Sequence, residues 1–524
     1  MTPGLGVPWR RWAVLLCIPT LLLGVVAYPA VHLQRVPLSV AALVVFAAAA
    51  GIVFTGQLRL LILLPVIAAY LSSLQVGFLA QLIALGYFLL EHGGRRLVRP
   101  LDTIDWLLLL VLLWTGTAWL TNLGTETDVW SLPMFALTFL APWLLLFVAR
   151  AAPWTRRDLS VILGVWLALA AAQLAPAFVK PVVIGEPGAY SVPLLLLEIV
   201  RVPLIATLLG DLNADVTTGT TQGAHHLGIA MLLAAALLVS LAIATGRRIA
   251  STLLLGMIYV FLMTDSKHVI ISAVVPGAVY AAIVVWPVMG ARARRAATLA
   301  GLAVALVAVP YFALRAARFI VEGVWKPYMA LATINPKTQL VLRTGRLLGE
   351  NNLRTWIGRG PGSYATRAAT TRATDVLFKE QSQLPSFIPA HTGESYRSVA
   401  YDLYTSEIAE QARYRSGALT NPFSSVVGIV AEYGLAGSLV VLGFFGALTR
   451  TGYRLWRRAG ASPPLRAAGA TLGFAMPLVV LLGIFDSYLE QPDITGLVLV
   501  LALVTLAGSE LPEESGAAPA GGGA

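Results

Sequence analysis

Six arginines fall within thirty positions of a long polar interval, and their chemistry suits phosphate binding. A guanidinium group is always charged and can donate to two phosphate oxygens at once. The wider segment, 315–420, holds 14 Lys or Arg against 8 Asp or Glu. This excess of positive charge attracts anions, although salt bridges and lipid headgroup contacts explain it equally well. The six are Arg343, Arg346, Arg354, Arg359, Arg367 and Arg372.

A glycine-rich turn surrounds one of these arginines. Gly358, Gly360 and Gly362 alternate with Arg359 and Pro361, and such spacing allows a tight turn whose exposed amides suit an anion. No Gly-Lys-Ser/Thr follows, so this is not a nucleotide-binding P-loop. Taken alone, a turn of this composition is usually only a turn.

Three histidines are candidates for a general base near neutral pH. His225 and His226 stand at the start of an apolar run, and His391 lies in the polar interval. Each one alone is more often structural than catalytic. The chain contains no HExxH or His-x3-His pattern, so we expect no catalytic zinc and no other bound metal.

Lys267 follows Asp265 and Ser266 between two apolar runs. If either residue caps the next helix, Lys267 lies in its first turn and forms a local anion site there. The alternative is a lysine that extends its charge to the membrane interface.

Several carboxylates also occupy unusual positions. Glu432 lies about nine residues into an apolar run, where burial is costly and a functional role is the default hypothesis. The alternative is a neutral or hydrogen-bonded glutamate that locks helix packing beside Gly434. We expect Glu490 to be similar but more exposed. Glu126 and Asp128 have the spacing of a metal-diphosphate site, but this short pattern is common.

The composition indicates a polytopic membrane protein. The chain is 57% hydrophobic and only 12% charged over 524 residues, whereas soluble domains carry about 25% charged residues. Its single cysteine, Cys17, excludes a disulfide within the chain and a cysteine-based metal site. Membrane spans of continuous apolar sequence must be helical, because lipid offers backbone groups no partner. We therefore predict an all-α helical bundle of about fourteen (12–14) transmembrane helices.

The predicted spans organise the chain. They are 12–32, 38–55, 58–72, 75–91, 105–122, 131–149, 159–179, 226–245, 249–263, 268–288, 296–314, 423–448, 467–485 and 492–509. The arginine clusters of the short loops then all fall on one side, which predicts a cytoplasmic membrane protein with both termini inside. The predicted regions are N-terminal helices (1–179), a smaller outer segment with an interfacial helix (180–225), central helices (226–314), a large outer loop (315–421), C-terminal helices (422–509) and a disordered tail (510–524).

Three stretches carry a resemblance to a known family. Thr218-Gly-Thr-Thr-Gln-Gly-Ala-His-His-Leu-Gly228 is similar to a Thr-Gly…Asn-x-Leu-Gly stretch, and Leu262-Met-Thr-Asp-Ser-Lys-His268 is similar to a helix ending in Thr-x-Ser-Arg. Gly358-Arg-Gly-Pro-Gly-Ser-Tyr364, with Asn421 and Glu432-Tyr-Gly-Leu-Ala-Gly437, is similar to a Gly-x-Gly…His-Asn…Glu-x-Gly-Leu-x-Gly ending. In this order they resemble the O-antigen ligase and O-antigen polymerase superfamily, membrane glycosyltransferases that use polyprenyl-diphosphate-linked glycans.

The chain departs from the family pattern at three positions. Val216 replaces the arginine before Thr-Gly, Lys267 replaces the arginine after Ser266, and Thr420 replaces the histidine before Asn421. In ligases that histidine and the arginines are linked to activity. Its absence slightly favours a polymerase over a ligase.

The resemblance implies a donor glycan on a polyprenyl diphosphate and an acceptor glycan or glycolipid, with membrane lipids around both. It requires no cofactor and no nucleic acid. The expected diphosphate-binding residues are Lys267, Arg343, Arg346, Arg359, Arg367 and Arg201. The expected catalytic residues are His391, His225 and Glu432. A transporter or lipid-linked glycan flippase, or a non-catalytic member of a glycan-assembly complex, remains an alternative.

Overall fold

The structure is a computed structural model. The described residues are 36–54, 56–71, 74–98, 100–177, 224–246, 251–264, 266–290, 336–350, 352–377, 388–405 and 424–512. Within them the protein is all-α, with a single isolated β-bridge between Leu123 and Thr127. The predicted fold class is confirmed at this level.

The N-terminal and central helices follow the predicted apolar runs. They are α1 (Val36–Phe54), a 3-10 turn (Leu58–Leu63) leading into α2 (Leu64–Ala69), α3 (Leu74–Val98), α4 (Thr103–Thr121), α5 (Ser131–Phe135), a π turn (Ala136–Leu140) leading into α6 (Ala141–Ala149), α7 (Arg156–Ala172), α8 (Ala224–Thr245), α9 (Ser251–Met263) and α10 (Lys267–Tyr280). A π turn (Ala281–Val285) and a 3-10 turn (Trp286–Val288) continue α10.

The second half of the chain contains short helices followed by three long ones. The short helices are α11 (Pro336–Gly349), α12 (Leu353–Ile357), α13 (Arg367–Leu377), α14 (Glu394–Val399) and α15 (Tyr401–Thr405). The long ones are α16 (Ser425–Arg457), α17 (Pro463–Phe485) and α18 (Pro492–Glu510), with a 3-10 turn (Tyr488–Glu490) between the last two.

Nine helical stretches of the described residues are long and apolar enough to cross a membrane. Three shorter apolar helices, at 43–53, 58–69 and 252–262, coincide with predicted spans. The predicted spans 12–32 and 296–314 lie outside the described residues, as do most of the 180–225 segment and the tail from 513. A helical membrane bundle is therefore the observed architecture, and the count of fourteen stays a prediction.

The bundle is built around α18. Every residue of this helix from Pro492 to Gly508 is buried, against α2, α3, α6, α7 and α17. A helix that is apolar on all sides belongs in the centre of a bundle, because no polar face is available for solvent. The start of α18 is therefore a fixed platform for the polar residues that precede it.

The arginine-rich end of the bundle is closed by buried ion pairs. The Arg150 guanidinium contacts Asp102 at 2.6 Å, Asp105 at 2.8 Å and Glu510 at 2.7 Å, while Arg96 pairs with Asp105. These groups come from the ends of α3, α4, α6 and α18. The 336–405 segment lies at the opposite end, where it contacts the start of α16 and the end of α4. The predicted topology, including which side is cytoplasmic, stays a prediction.

The large polar segment forms a helical layer with a small core of its own. Its apolar residues pack with Ala431 of α16, and the members of this second core are Leu340, Tyr364, Ala365, Ala373, Tyr396, Ala400 and Leu403. The segment is thus folded onto the start of α16 and the α4–α5 turn.

Candidate functional site

Helix α16 is broken at Gly434, and the glycine-rich turn docks into the break. Gly434 has φ +64°, so the helical hydrogen bonds of the preceding turn are interrupted. The free carbonyls of Ala431 and Glu432 instead accept from the amides of Arg359 and Gly360, both at 3.0 Å. A Cβ on Gly358, which has φ +91°, would lie 2.2 Å from the Glu432 carbonyl oxygen. The two glycine motifs are therefore complementary halves of one contact.

The Glu432 carboxylate completes this contact. One carboxylate oxygen accepts from the amide and hydroxyl of Thr366, at 3.2 and 2.6 Å, and from the amide of Tyr364 at 2.9 Å. The other oxygen accepts from the amide of Gly362 at 2.5 Å. Glu432 is fully buried. These four hydrogen bonds are those of a glutamate that locks the packing of the turn on α16, and a catalytic role for Glu432 stays a prediction.

The expectation that the glycine-rich turn exposes its amides is wrong. Residues 358–366 are all buried, because they lie between α16 and the α4–α5 turn. Gly360 and Gly362 do have positive φ, at 92° and 70°. The amides of Gly362, Tyr364 and Thr366 instead donate to the side chain of Glu432, and the binding of an external anion by this turn stays a prediction.

Arg359 is buried against an internal carboxylate. Its guanidinium donates to Glu126 at 3.4 Å, to Glu350 at 3.3 Å and to the hydroxyl of Ser395. Glu126 also accepts from Arg354 at 3.1 Å and from the Ser395 amide at 2.8 Å. These contacts position the loop layer over the α4–α5 turn and leave Arg359 little capacity for an external diphosphate.

Asp128 and Arg372 form a second pair beside the first. Both Arg372 terminal nitrogens donate to Asp128, each at 2.5 Å. Burial alone raises the pKa of Asp128, but hydrogen bonds from Arg372 and Ser131 outweigh it and bring the pKa to about 2. The spacing of Glu126 and Asp128 suggested a metal site, but both carboxylates form ion pairs with arginine. Among the described residues no cluster could hold a metal ion.

His391 borders the same ion pairs. Its Nε2 lies 3.0 Å from the carbonyl oxygen of Glu126, and its Nδ1 lies 4.0 Å from Asp128. Its role as a general base stays a prediction, and its observed neighbours are those of a residue that supports the loop layer.

Two further predicted phosphate ligands lie on α11. Arg343 donates to both oxygens of Asp402, at 2.6 and 3.0 Å, and this hydrogen bonding raises its pKa. Arg346 is exposed at the C-terminal part of the same helix. The structure therefore separates a paired arginine from an accessible one only three residues away.

Arg367 differs from the paired arginines. Its amide donates to Glu490, which fixes its backbone, while its guanidinium donates to the Ser487 hydroxyl at 3.4 Å. Burial lowers the pKa of Arg367 although Asp486, Glu490 and Asp493 oppose the shift. Among the described carboxylates none forms an ion pair with it.

The expectation that Glu490 is the more exposed carboxylate is wrong. Glu490 is fully buried, since the 3-10 turn that carries it folds between α16 and α18. Burial and the nearby Glu432 carboxylate raise its pKa to about 8. Glu490 fixes the start of α13 through the Arg367 amide.

Three histidines meet at the end of the bundle that carries the loop layer. The ring of His225 lies 4.4 Å from that of His226 and 5.7 Å from that of His268, measured between centroids. His226 is buried with its Nδ1 2.6 Å from Asp493, and His268 Nε2 lies 2.6 Å from the Tyr488 hydroxyl. His225 and His268 are half-buried residues, and they lie beside the buried Tyr488 and Asp493.

Two stretches of the resemblance are brought together here, and the third is linked to them through Arg367. A Cβ on Gly228 would lie 2.8 Å from the Thr264 hydroxyl, so the His225–Gly228 turn packs directly on the stretch before α10. The Glu432 contact positions Arg367, and Glu490 ties Arg367 to the Tyr488 turn that borders the histidines. Separate parts of the chain thus build one polar site, which we call the histidine cluster: His225, His226, His268, Tyr488, Asp493 and Arg367.

Other predicted residues are placed only in part. Lys267 begins α10 as predicted, but its side chain lies outside the described residues, as do Arg201, Asp265 and Asn421. Ser266 precedes α10 without a side-chain capping hydrogen bond. The part of the capping hypothesis that concerns Ser266 is therefore wrong.

Sequence reasoning missed Tyr488, Asp493 and Lys337. Lys337 is buried at the start of α11, where burial lowers its pKa to about 8 against the opposing charge of Asp486, and it lies within electrostatic reach of His268. The polar run Asp486–Asp493 between two apolar spans was the available signal. For Lys337 the signal was its place on the buried stripe with Leu340 and Thr344.

The chain was compared with models of known protein families and with curated proteins. No family model matches it, and no curated protein matches it. The arguments for function below therefore depend on the residues and their geometry.

Proposed function

We propose that the protein is a membrane glycosyltransferase of the O-antigen ligase or polymerase type. It acts at the outer face of the cytoplasmic membrane on a glycan carried by a polyprenyl diphosphate. The observation that carries this proposal is that the Gly228 and Thr264 stretches meet beside three histidines, with Arg367 tied to the neighbouring Tyr488 turn. Imidazoles, and an arginine that forms no ion pair with a described carboxylate, are groups that such a transfer needs.

In the proposed reaction, an acceptor hydroxyl attacks the anomeric carbon of the donor glycan. The bond from that carbon to the diphosphate oxygen breaks, and the polyprenyl diphosphate leaves with the bonding electrons. His225 accepts the hydroxyl proton, because it is partly exposed and has no carboxylate contact among the described residues. Charge on the leaving diphosphate is balanced by Arg367, with Lys267 at the start of α10 as a second cation.

The paired arginines receive a different role in this proposal. Arg343 and Arg359 hold Asp402 and Glu126, so they shape the loop layer, while the exposed Arg346 remains available to an incoming anion. Glu432 becomes a positioning residue, because its carboxylate is fully occupied by the turn that leads to Arg367.

A transporter or lipid-linked glycan flippase is the second candidate. The buried pair of His226 and Asp493 lies in the first turns of two spans, and buried ionisable pairs in membrane helices mark substrate or proton pathways in many transporters. The glycosyltransferase is favoured because the accessible cations and imidazoles gather at one end of the bundle rather than at its middle.

A deletion strain distinguishes these candidates. We expect loss of long surface glycan with accumulation of single polyprenyl-linked repeats if the protein is a polymerase, which we favour slightly. Long chains retained on the polyprenyl carrier would instead identify a ligase. Surface polysaccharide is compared with wild type on a gel, and the polyprenyl-linked pool is extracted from the same cells. Unchanged pools would contradict both reactions and favour transport.

A further inference from the structure

The surface of the loop layer beside α4 carries large apolar side chains that face outward. On α12, Leu353 is 69% exposed and Trp356 is 51% exposed, and on the α4–α5 turn Val129 is 64% exposed. Leu123 of the same turn is also exposed. Residues of this size are rarely clustered on a water-facing surface without a partner.

The level of this patch relative to the bilayer follows from α4. This helix has 19 residues, which is about 28 Å at about 1.5 Å per residue, close to the roughly 30 Å of a hydrocarbon core. One end of α4 carries Asp102, paired with Arg150. At the other end Asn122 donates to the Gly358 carbonyl at 3.1 Å. The C-terminus of α12 therefore lies at the boundary between hydrocarbon and headgroups.

The patch also continues the lipid-facing surface of the bundle. Leu113 and Leu120 of α4 are exposed below it, and Leu439 of α16 is exposed one turn beyond the Gly434 break. The Trp356 backbone touches Gly434, so α12 adjoins that surface directly. Tryptophan at this depth is typical of the aromatic belt of membrane proteins.

Cations accompany the apolar side chains. Arg354 on α12 has 37% of its side chain exposed, and Arg346 on α11 is exposed. An amphipathic element of this composition lies in the plane of the interface with its apolar side about 5–10 Å into the headgroup and acyl boundary.

We propose that α12 and the α4–α5 turn form an interfacial anchor. Its partner is the phospholipid monolayer, with acyl chains against Leu353, Trp356 and Val129 and lipid phosphates against Arg346 and Arg354. The loop layer is consequently held down on the membrane surface rather than extended into water. This anchor does not depend on the proposed glycosyltransferase activity.

Spin labels on single cysteines test the anchor. In a Cys17→Ser background, Leu353→Cys and Trp356→Cys would each carry a nitroxide label in the full-length protein. The protein would be reconstituted in vesicles of phosphatidylethanolamine and phosphatidylglycerol. Collision of the label with oxygen and with a water-soluble nickel chelate reports its depth. Leu113→Cys serves as the lipid-facing reference and Ser398→Cys, exposed on α14, as the aqueous reference.

We expect the ratio of oxygen collisions to nickel-chelate collisions to be severalfold higher at 353 and 356 than at 398. The ratios at 353 and 356 should approach the ratio at 113. Two label sites guard against a local distortion at either one. Values at 353 and 356 equal to that at 398 would overturn the proposal, and would mean that the patch faces water or awaits a protein partner absent from the vesicles.

Discussion

Replacing Glu432 with alanine is expected to unfold the contact between the glycine-rich turn and α16. The substitution leaves three amides and the Thr366 hydroxyl buried without an acceptor. Each such group costs about 1–3 kcal/mol, so we expect a loss of at least about 3 kcal/mol in the free energy of unfolding. Thermal unfolding of the detergent-solubilised protein measures the loss, and limited proteolysis locates it in the loop layer.

Glu432→Gln separates this account from a catalytic role. Glutamine keeps one acceptor oxygen for Tyr364 and Thr366, but its amide group opposes the Gly362 amide, so we expect a smaller loss of about 1–2 kcal/mol. A stabilising residue thus gives a graded series in which alanine is worse than glutamine. If both variants kept the wild-type free energy of unfolding but were inactive, the locking role would be contradicted.

Gly434→Ala is expected to be more damaging than its size suggests. A Cβ at this position would lie 2.5 Å from the Gly358 amide nitrogen and 2.5 Å from the Trp356 carbonyl oxygen. The backbone at φ +64° and ψ −176° is also one that residues with a side chain rarely adopt. Neither neighbour can move, because both are backbone atoms. We expect a strongly reduced yield of folded protein. If folded protein is obtained, its thermal midpoint should fall further than the midpoint of any variant substituted at an exposed position.

Gly446→Ala is the matched control on the same helix. Gly446 has no atom within 4 Å of the added Cβ, so the substitution is expected to be neutral or to stabilise by up to about 1 kcal/mol. Both variants are measured by size-exclusion profile and thermal unfolding. Similar behaviour of the two would contradict the close approach of the turn to α16.

The apolar runs were sufficient to predict most of the fold. Eight of the nine long apolar stretches among the described residues begin and end within a few residues of the predicted span, because lipid leaves the backbone only the helix. The exception is α16, which continues to Arg457, beyond the predicted end at 448. In these last turns Arg450, Arg454 and Arg457 are exposed, while Tyr453, Leu455 and Trp456 pack against the protein.

The interior of the loop layer could not be predicted in the same way. Glycine spacing and a buried glutamate were both recognised as features of an anion-binding turn and a locked helix. Nothing in the sequence indicated that residues 362 and 432, seventy positions apart, would bind each other. The six arginines looked equivalent in the sequence, and only packing against Glu126, Asp128 and Asp402 separated the paired ones from Arg367 and Arg346.

The candidate site was predicted only in part, because the sequence does not indicate which distant residues come into contact. His225 and His226 were identified by residue type, but their proximity to His268, Tyr488 and Asp493 depends on how α8, α10 and α18 begin at one level of the bundle. From charge alone, Arg359 was the expected diphosphate ligand. Because Arg359 is buried against Glu126, Arg367 is now the preferred candidate.

The measurement that tests the central claim most directly is glycan assembly in a deletion strain complemented with Arg367→Gln. The account predicts that long glycan falls on the order of 100-fold, with the protein inserted at wild-type amount, because the leaving diphosphate loses its balancing charge. Arg367→Lys should recover part of the loss, and Arg397→Gln, exposed in the same loop layer, should behave as wild type. Wild-type glycan from Arg367→Gln would contradict the assignment of the histidine cluster as the reaction site.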